Sequence, residues 1–367
     1  MERIWVDAHN IISPLGKTTY ENYSSVIDGK SGVAPVQIGI NTVYGGKILQ
    51  RENFLVDNFG VFESLMIQSI QAALSQTSAA PSDKDTIFII SSTKGEIDSL
   101  SKPNDLKKVN LFESSRKVSS YFNNPNQPVV ISNACISGSL AILTAKRLIE
   151  AGLYRNAVVC GCDLISDFIT SGFNSLQAIS SEPCKPFDAN RKGINMGEAA
   201  ATIIITKEKG EIPVCITSGA TSNDANHISG PSRTGEELGV AIRKAMQASK
   251  VTVSEIDFIN AHGTGTLFND EMEANAFSLT DFSNVPLNSL KGYYGHTLGA
   301  AGVLESAISV MSLLNNELIP SMGYETPGVT KPINVIRKKE MKPLKRFLKT
   351  ASGFGGCNAT LIFEKTE

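Results

Sequence analysis

Runs such as TIFIIS (86–91), NAVVCGC (156–162) and ATIIIT (201–206) are apolar almost without alternation, and this narrows what the chain can fold into. Successive side chains of a strand point to opposite faces, so a continuous apolar run needs cover on both. Segments with helical spacing separate these runs: Val61 to Ala80, the stretch beginning near Ile136, Gly235 to Ser249, and Leu298 to Asn315. RIWVDAHNII, VCITSGATS and EIDFINAH read as further strands, and FLKTASGFGGCNATLIFEK as two strands joined by a glycine turn. Ser99 to Asn126 reads as polar and irregular. The alternation predicts an α/β protein whose sheets are covered by helices on both faces. The two halves share an outline of apolar strands, polar loops at strand ends and a helix rich in Ala and Ser, which suggests duplication.

Composition removes several function classes. Lys plus Arg number 34 against 36 Asp plus Glu, a net charge of −2, so nothing favours nucleic acid as a partner. No apolar run is expected to reach the eighteen or so residues of a membrane span, and MERIWVDAHNIISPLG does not read as a signal peptide. The six cysteines lack the spacing of a disulfide framework. Cys160 and Cys162 share one apolar run and suit strand neighbours better than a metal knuckle. The expectation is a reduced, cytoplasmic protein without a metal.

The chemistry concentrates at a few junctions. In SNACISGSL (132–140), Cys135 follows the strand-like Pro128–Ile131 and precedes Ile136, Leu140 and Leu143 at helical spacing, with Gly152 as a stop. A cysteine at a helix N-terminus meets unpaired N–H groups and the positive end of the dipole, which favour a thiolate. His262 lies in NAHGTGTLFND, directly after a strand, and His296 in SLKGYYGHTLGAAG, before a helix of small residues. Both are flanked by glycine where α/β proteins place their chemistry, whereas His9 and His227 read as structural or surface residues. A cysteine nucleophile with two imidazoles suits acyl transfer, the thiolate attacking a thioester while imidazole N–H groups polarise a second carbonyl. SGFGGCN offers backbone N–H groups for an oxyanion hole; no helix follows it, which disfavours a nucleotide loop.

Taken in order, Cys135, AHGTGT, KGYYGHTLGAAG and GFGG resemble the β-ketoacyl-[acyl carrier protein] synthases, specifically the elongating Cys-His-His type of the thiolase-like superfamily. CKPFDANRKGINMGEAA (184–200) and ISPLG near the N-terminus fit the same pattern. The resemblance implies a duplicated αβαβα layered sandwich, with residues 1–206 carrying the nucleophile and 207–367 carrying both histidines. It implies that Cys135 is acylated, that His262 and His296 assist decarboxylation of a malonyl extender, and that Lys291 and Glu305 pair to order the site. Phe354 would be the gate, its N–H forming the oxyanion hole with that of Cys135. Thr264 and Thr266 would bind the phosphopantetheine arm, and Gly355 would be a further substrate-binding residue. No separate cofactor is implied, since the acyl carrier protein brings the substrates on its own arm. A homodimer is expected, with a heterodimer as the alternative.

Three departures bear on specificity. GEAA stands where the pattern has GEGA, GFGGCN where it has GFGGTN, and the chain is short before Cys135. They admit a specialised polyene or polyketide synthase subunit beside fatty-acid elongation. The remaining alternative, a non-catalytic chain-length-factor-like partner, is disfavoured by the intact Cys-His-His set. Lys331, Arg337, Lys338, Lys339, Lys342, Lys345, Arg346 and Lys349 face only Glu340 as an acid. This stretch reads as a solvated face, and alternatively as a docking surface for an acidic carrier.

Overall fold

The computed structural model describes residues 3–39, 41–101, 109–225, 228 and 230–367. His227 and part of the 99–126 stretch lie outside the described residues. Ten strands form two sets with one topology. Ile4–Ile12 (β1), Thr86–Ser91 (β2), Val129–Ile131 (β3), Asn156–Asp163 (β4) and Ala199–Thr206 (β5) stand in the order β1-β5-β4-β2-β3. Val214–Asn223 (β6), Phe258–Asn260 (β7), Pro286–Asn288 (β8), Arg346–Gly353 (β9) and Cys357–Lys365 (β10) stand in the order β6-β10-β9-β7-β8. In each set the first two pairings are antiparallel and the last two parallel. The match of order and direction is the duplication that the sequence outlines. The sets join where β1 pairs with β6, Ile4 opposite Ile216 and Val6 opposite Val214.

Helices complete five layers. Val61–Leu74 (α1) covers β1, β4 and β5, while Glu236–Ser249 (α3) and Leu267–Leu279 (α4) pack together, with α3 covering β6 and β10. Between the sets, Ser137–Glu150 (α2) and Ala301–Asn315 (α5) touch each other and strands of both halves. The strands are therefore buried on both faces, as their continuous apolar character requires. Small residues let the central helices meet. A Cβ on Gly138 would lie 2.8 Å from Val303 N, and one on Gly302 would collide with Ser139 N. This contact matters for chemistry, because Cys135 precedes α2 and His296 precedes α5.

Three expectations need correction. The helix placed over Val61 to Ala80 ends at Leu74: Ser75 and Thr77 bond to nearby backbone, through Ala72 O and Ala79 N, and compete with the helical ladder. The stretch thought irregular contains the helix Leu111–Tyr121, capped by Asn110 and burying Ser114, Ser115 and Val118, so its packed face is mostly serine. Leu298–Asn315 is long and apolar enough to cross a membrane, contrary to the expectation that no run is. It is instead the central helical layer, preceded by a 3-10 turn at Leu298–Ala300, and is apolar because sheets and α2 surround it.

Candidate active site

The loop before α2 turns sharply, with Ala134 at φ 44°, a conformation L residues rarely adopt. Cys135 follows, 7% exposed, and a Cβ on Gly353 would stand 3.0 Å from its backbone N. The β9–β10 turn therefore packs directly on the Cys135 peptide. Cys135 Sγ and one ring nitrogen from each of His262 and His296 lie within 4.8 Å of one another. The two imidazoles meet edge to face, their centroids 5.1 Å apart. All three residues line a cavity of about 670 Å³.

Each histidine is held at its backbone and at one nitrogen. Glu273, from α4, accepts from the N–H of His262 (2.8 Å) and of Gly263 (2.6 Å), and Asp270 accepts from Thr264 N (3.1 Å). His296 N donates to Asn195 O (2.7 Å), and Gly197 N donates to His296 O (2.9 Å). The 184–200 segment thus ties the two loops together, since Phe187 N also reaches Asp270 (2.7 Å) and Gly193 N reaches Gly265 O (3.0 Å). Side-chain partners set the tautomers. Leu298 N donates to His296 Nδ1 (3.2 Å), and the Lys291 ammonium, which can only donate, stands 3.4 Å from His262 Nδ1. In both rings Nε2 therefore carries the proton. Among the described residues His296 Nε2 has no hydrogen-bond partner.

Electrostatics keep both rings neutral. Burial first, then the positive charge of Lys291, drives the His262 and His296 pKa values well below the usual imidazole value. Lys291 also donates to His262 O (2.6 Å) and pairs with Glu305 Oε1 (2.7 Å), all three groups buried. The thiol departs from expectation. Burial pushes Cys135 up to about 12 against the pull of Lys291, and α2 begins only at Ser137 with Ile136 as its cap. The dipole does not outweigh desolvation here, so the resting group is the thiol.

The other expected residues fall at graded distances. Thr264 and Thr266 line the cavity with their hydroxyls 2.8 Å apart. Phe354 lines the mouth, 38% exposed and stacked on Phe173 at 5.4 Å. Gly355 does not line the cavity: its N–H donates to Ile228 O (2.6 Å) and its carbonyl accepts from Asn223 (3.1 Å), so both polar groups tie the turn to those residues. Cys357 fits its departure from the pattern, with its thiol against Asn133 O and Phe354 O. Glu198 of GEAA accepts from Ile48 N and Ile165 N and pairs with Arg51. The sequence reading missed Asp270, which ends the His262 motif, Glu273 one helical turn beyond it, and Asp163, whose carboxylate joins Thr93 N to Gly299 N. It also placed Lys349 on a solvated face, although this residue is fully buried and pairs with Glu305 Oε2 at 2.7 Å. Of its neighbours, Arg346 meets Glu364 and Glu255 and Lys339 meets Glu317, while Lys331, Arg337, Lys338 and Lys345 are exposed, as a solvated face requires.

A buried thiol beside two neutral imidazoles, at the meeting of two central helices in a duplicated αβαβα fold, defines a thiolase-like condensing enzyme. The comparisons give the family: residues 114–210 match the β-ketoacyl synthase N-terminal domain and 213–325 its C-terminal domain. The chain belongs to the β-ketoacyl synthase family. It is 31% identical to 3-oxoacyl-[acyl-carrier-protein] synthase 2 of Rhizobium meliloti, over 70% of this chain and 65% of that protein. With the Vibrio cholerae protein of the same name it shares 27% over 99% of both. A ketosynthase solved in complex with its chain length factor, from Xenorhabdus doucetiae, superposes with TM-score 0.88 at 24% identity, over 100% of this chain and 98% of that one.

Proposed function

We propose that this β-ketoacyl synthase extends a carrier-bound acyl chain by two carbons, with Cys135 as nucleophile and the imidazoles as paired donors. The Cys135 thiol exchanges with the acyl thioester, releasing the carrier thiol and forming acyl-Cys135. A malonyl carrier then loses carbon dioxide while Nε2–H of His262 and of His296 bond its thioester oxygen, where negative charge develops. The resulting carbon attacks the acyl-Cys135 carbonyl, the sulfur leaves, and it takes up a proton. The products are a β-ketoacyl carrier, carbon dioxide and free enzyme. The observation that carries this reading is the engagement of both Nδ1 atoms, which leaves Nε2–H as the face each ring offers. Phe354 N–H and Cys135 N–H serve as the oxyanion hole for the acyl carbonyl, and Thr264 and Thr266 hold the pantetheine arm.

The partner is an acyl carrier protein, and the substrate is a fatty-acid or polyketide-like acyl chain. The assembly is read as a homodimer; β3, which ends the sheet among the described residues and whose Val129, Val130 and Ile131 are half-buried apolar side chains on that edge, supports a partner there. A heterodimer with a related subunit is the alternative; mass photometry of the purified chain distinguishes them. Six free cysteines suit a reducing, cytoplasmic setting. The test of the reaction is incubation of acylated protein with ¹³C-malonyl carrier. A carrier-bound β-ketoacyl product two carbons longer supports it; carrier returned without condensation or decarboxylation refutes it.

A further inference from the structure

We propose that Lys349 is a second positioning cation of the histidine pair, acting through Glu305 and Thr350. β9 is a central strand: Lys349 stands opposite Asn260 of β7 on one side and Leu361 of β10 on the other. A fully buried lysine in such a strand is expensive unless paired, so its partners define its use. Its Nζ lies 2.7 Å from Glu305 Oε2, while Lys291 holds Oε1 of the same carboxylate at 2.7 Å. Glu305 is thus clasped between two ammonium groups, one of which reaches His262. Lys349 Nζ also donates to Thr350 O (2.6 Å), and the Thr350 hydroxyl donates to Glu273 Oε1 (2.9 Å), the oxygen that receives His262 N–H. Lys349 therefore stands behind both supports of His262, the side-chain one and the backbone one.

Charge gives this geometry a consequence. The ionisable groups facing Lys349 are Glu305 from α5, Lys291 from the short helix Lys291–Tyr294, Glu273 from α4, and the two imidazoles. A buried positive charge at this point opposes protonation of His262 and His296, and both feel it. The role rests on the proposed use of neutral imidazoles as donors.

The test compares the unmodified protein with K349M, K349Q and K349R, reading decarboxylative condensation against pH and, separately, acylation of Cys135. Removing the cation raises imidazole basicity, so the acidic limb of the rate profile moves to higher pH, by about one unit. K349R restores the limb toward its original position. Acylation stoichiometry stays unchanged in the folded variants. A limb unmoved in whichever uncharged variant folds overturns the proposal. So does failure of both to fold while K349R folds, which would make Lys349 a structural counter-charge of Glu305 alone. An unmodified protein that does not condense at any pH would instead refute the proposed reaction, and the two failures are thereby distinguished.

Discussion

In the proposed reaction, replacing His296 by alanine removes one of the two N–H groups that bond the thioester oxygen and leaves the thiol in place. The size of the effect follows from the site. His296 Nε2–H has no protein partner among the described residues, so its bond to the developing oxyanion replaces no internal one. Loss of a single such donor in a water-poor site typically costs about 10²–10³ in rate, or roughly 3–4 kcal/mol of transition-state stabilisation. The His262 donor survives, since Lys291 and Glu273 hold it independently of His296. His296→Ala should therefore slow condensation by about 10²–10³-fold while acylation changes less than about tenfold, because the acyl carbonyl is served by backbone N–H groups. His296→Asn keeps an N–H donor and should recover part of the loss. Single-turnover measurements, with acyl-enzyme formed first and malonyl carrier added second, separate the two steps. If acylation and condensation fall in parallel, or if neither falls, the assignment of His296 to the malonyl oxyanion is wrong.

Other consequences can be measured without substrate. His9 is buried against the Thr19 hydroxyl, and burial lowers its pKa to about 4 from 6.5. Between these values the unfolded chain binds the extra proton, so stability falls as pH drops from about 6.5 to 4, by roughly 3 kcal/mol from this group alone. Urea titrations should show that slope, reduced in His9→Asn; equal slopes would refute it. Gly138→Ala places a Cβ against backbone of Val303, Gly299 and Gly302 that cannot swing aside. It should cost about 1–3 kcal/mol and slow both half-reactions by moving Cys135 relative to His296; an unchanged Tm and rate would contradict the close-contact account. Glu273→Gln sets an amide N–H against one of the N–H groups of His262 and Gly263 and should destabilise by about 1–3 kcal/mol, with condensation impaired. Thermal melts and rates together check it.

The sequence and the structure agree where local chemistry decides. Continuous apolar strands announce two-sided burial, and Cys135, His262 and His296 are visible because small residues and glycines isolate them at strand and helix junctions. Lys291 and Glu305 follow from their motif. What the sequence conceals is long-range pairing. Lys349 sits among eight basic residues, and nothing local distinguishes the one whose strand position turns it inward toward Glu305. Gly355 stands beside Phe354 in the same turn, yet only the contacts of its own N–H and C=O show that Ile228 and Asn223 engage them. The thiol was misjudged for a related reason: a helix N-terminus is legible locally, but desolvation depends on everything packed around it. The helix Leu111–Tyr121 was hidden by a buried face made largely of serine.

The central claim is that Cys135 accepts the growing chain. Intact-mass spectrometry of the protein mixed with a panel of acyl carriers, beside Cys135→Ala, tests it most directly. The account predicts a mass gain of one acyl group that vanishes in the variant, with the preferred chain distinguishing fatty-acid from polyene-like substrates. A gain that persists in Cys135→Ala, or no gain from any carrier in the folded protein, contradicts it.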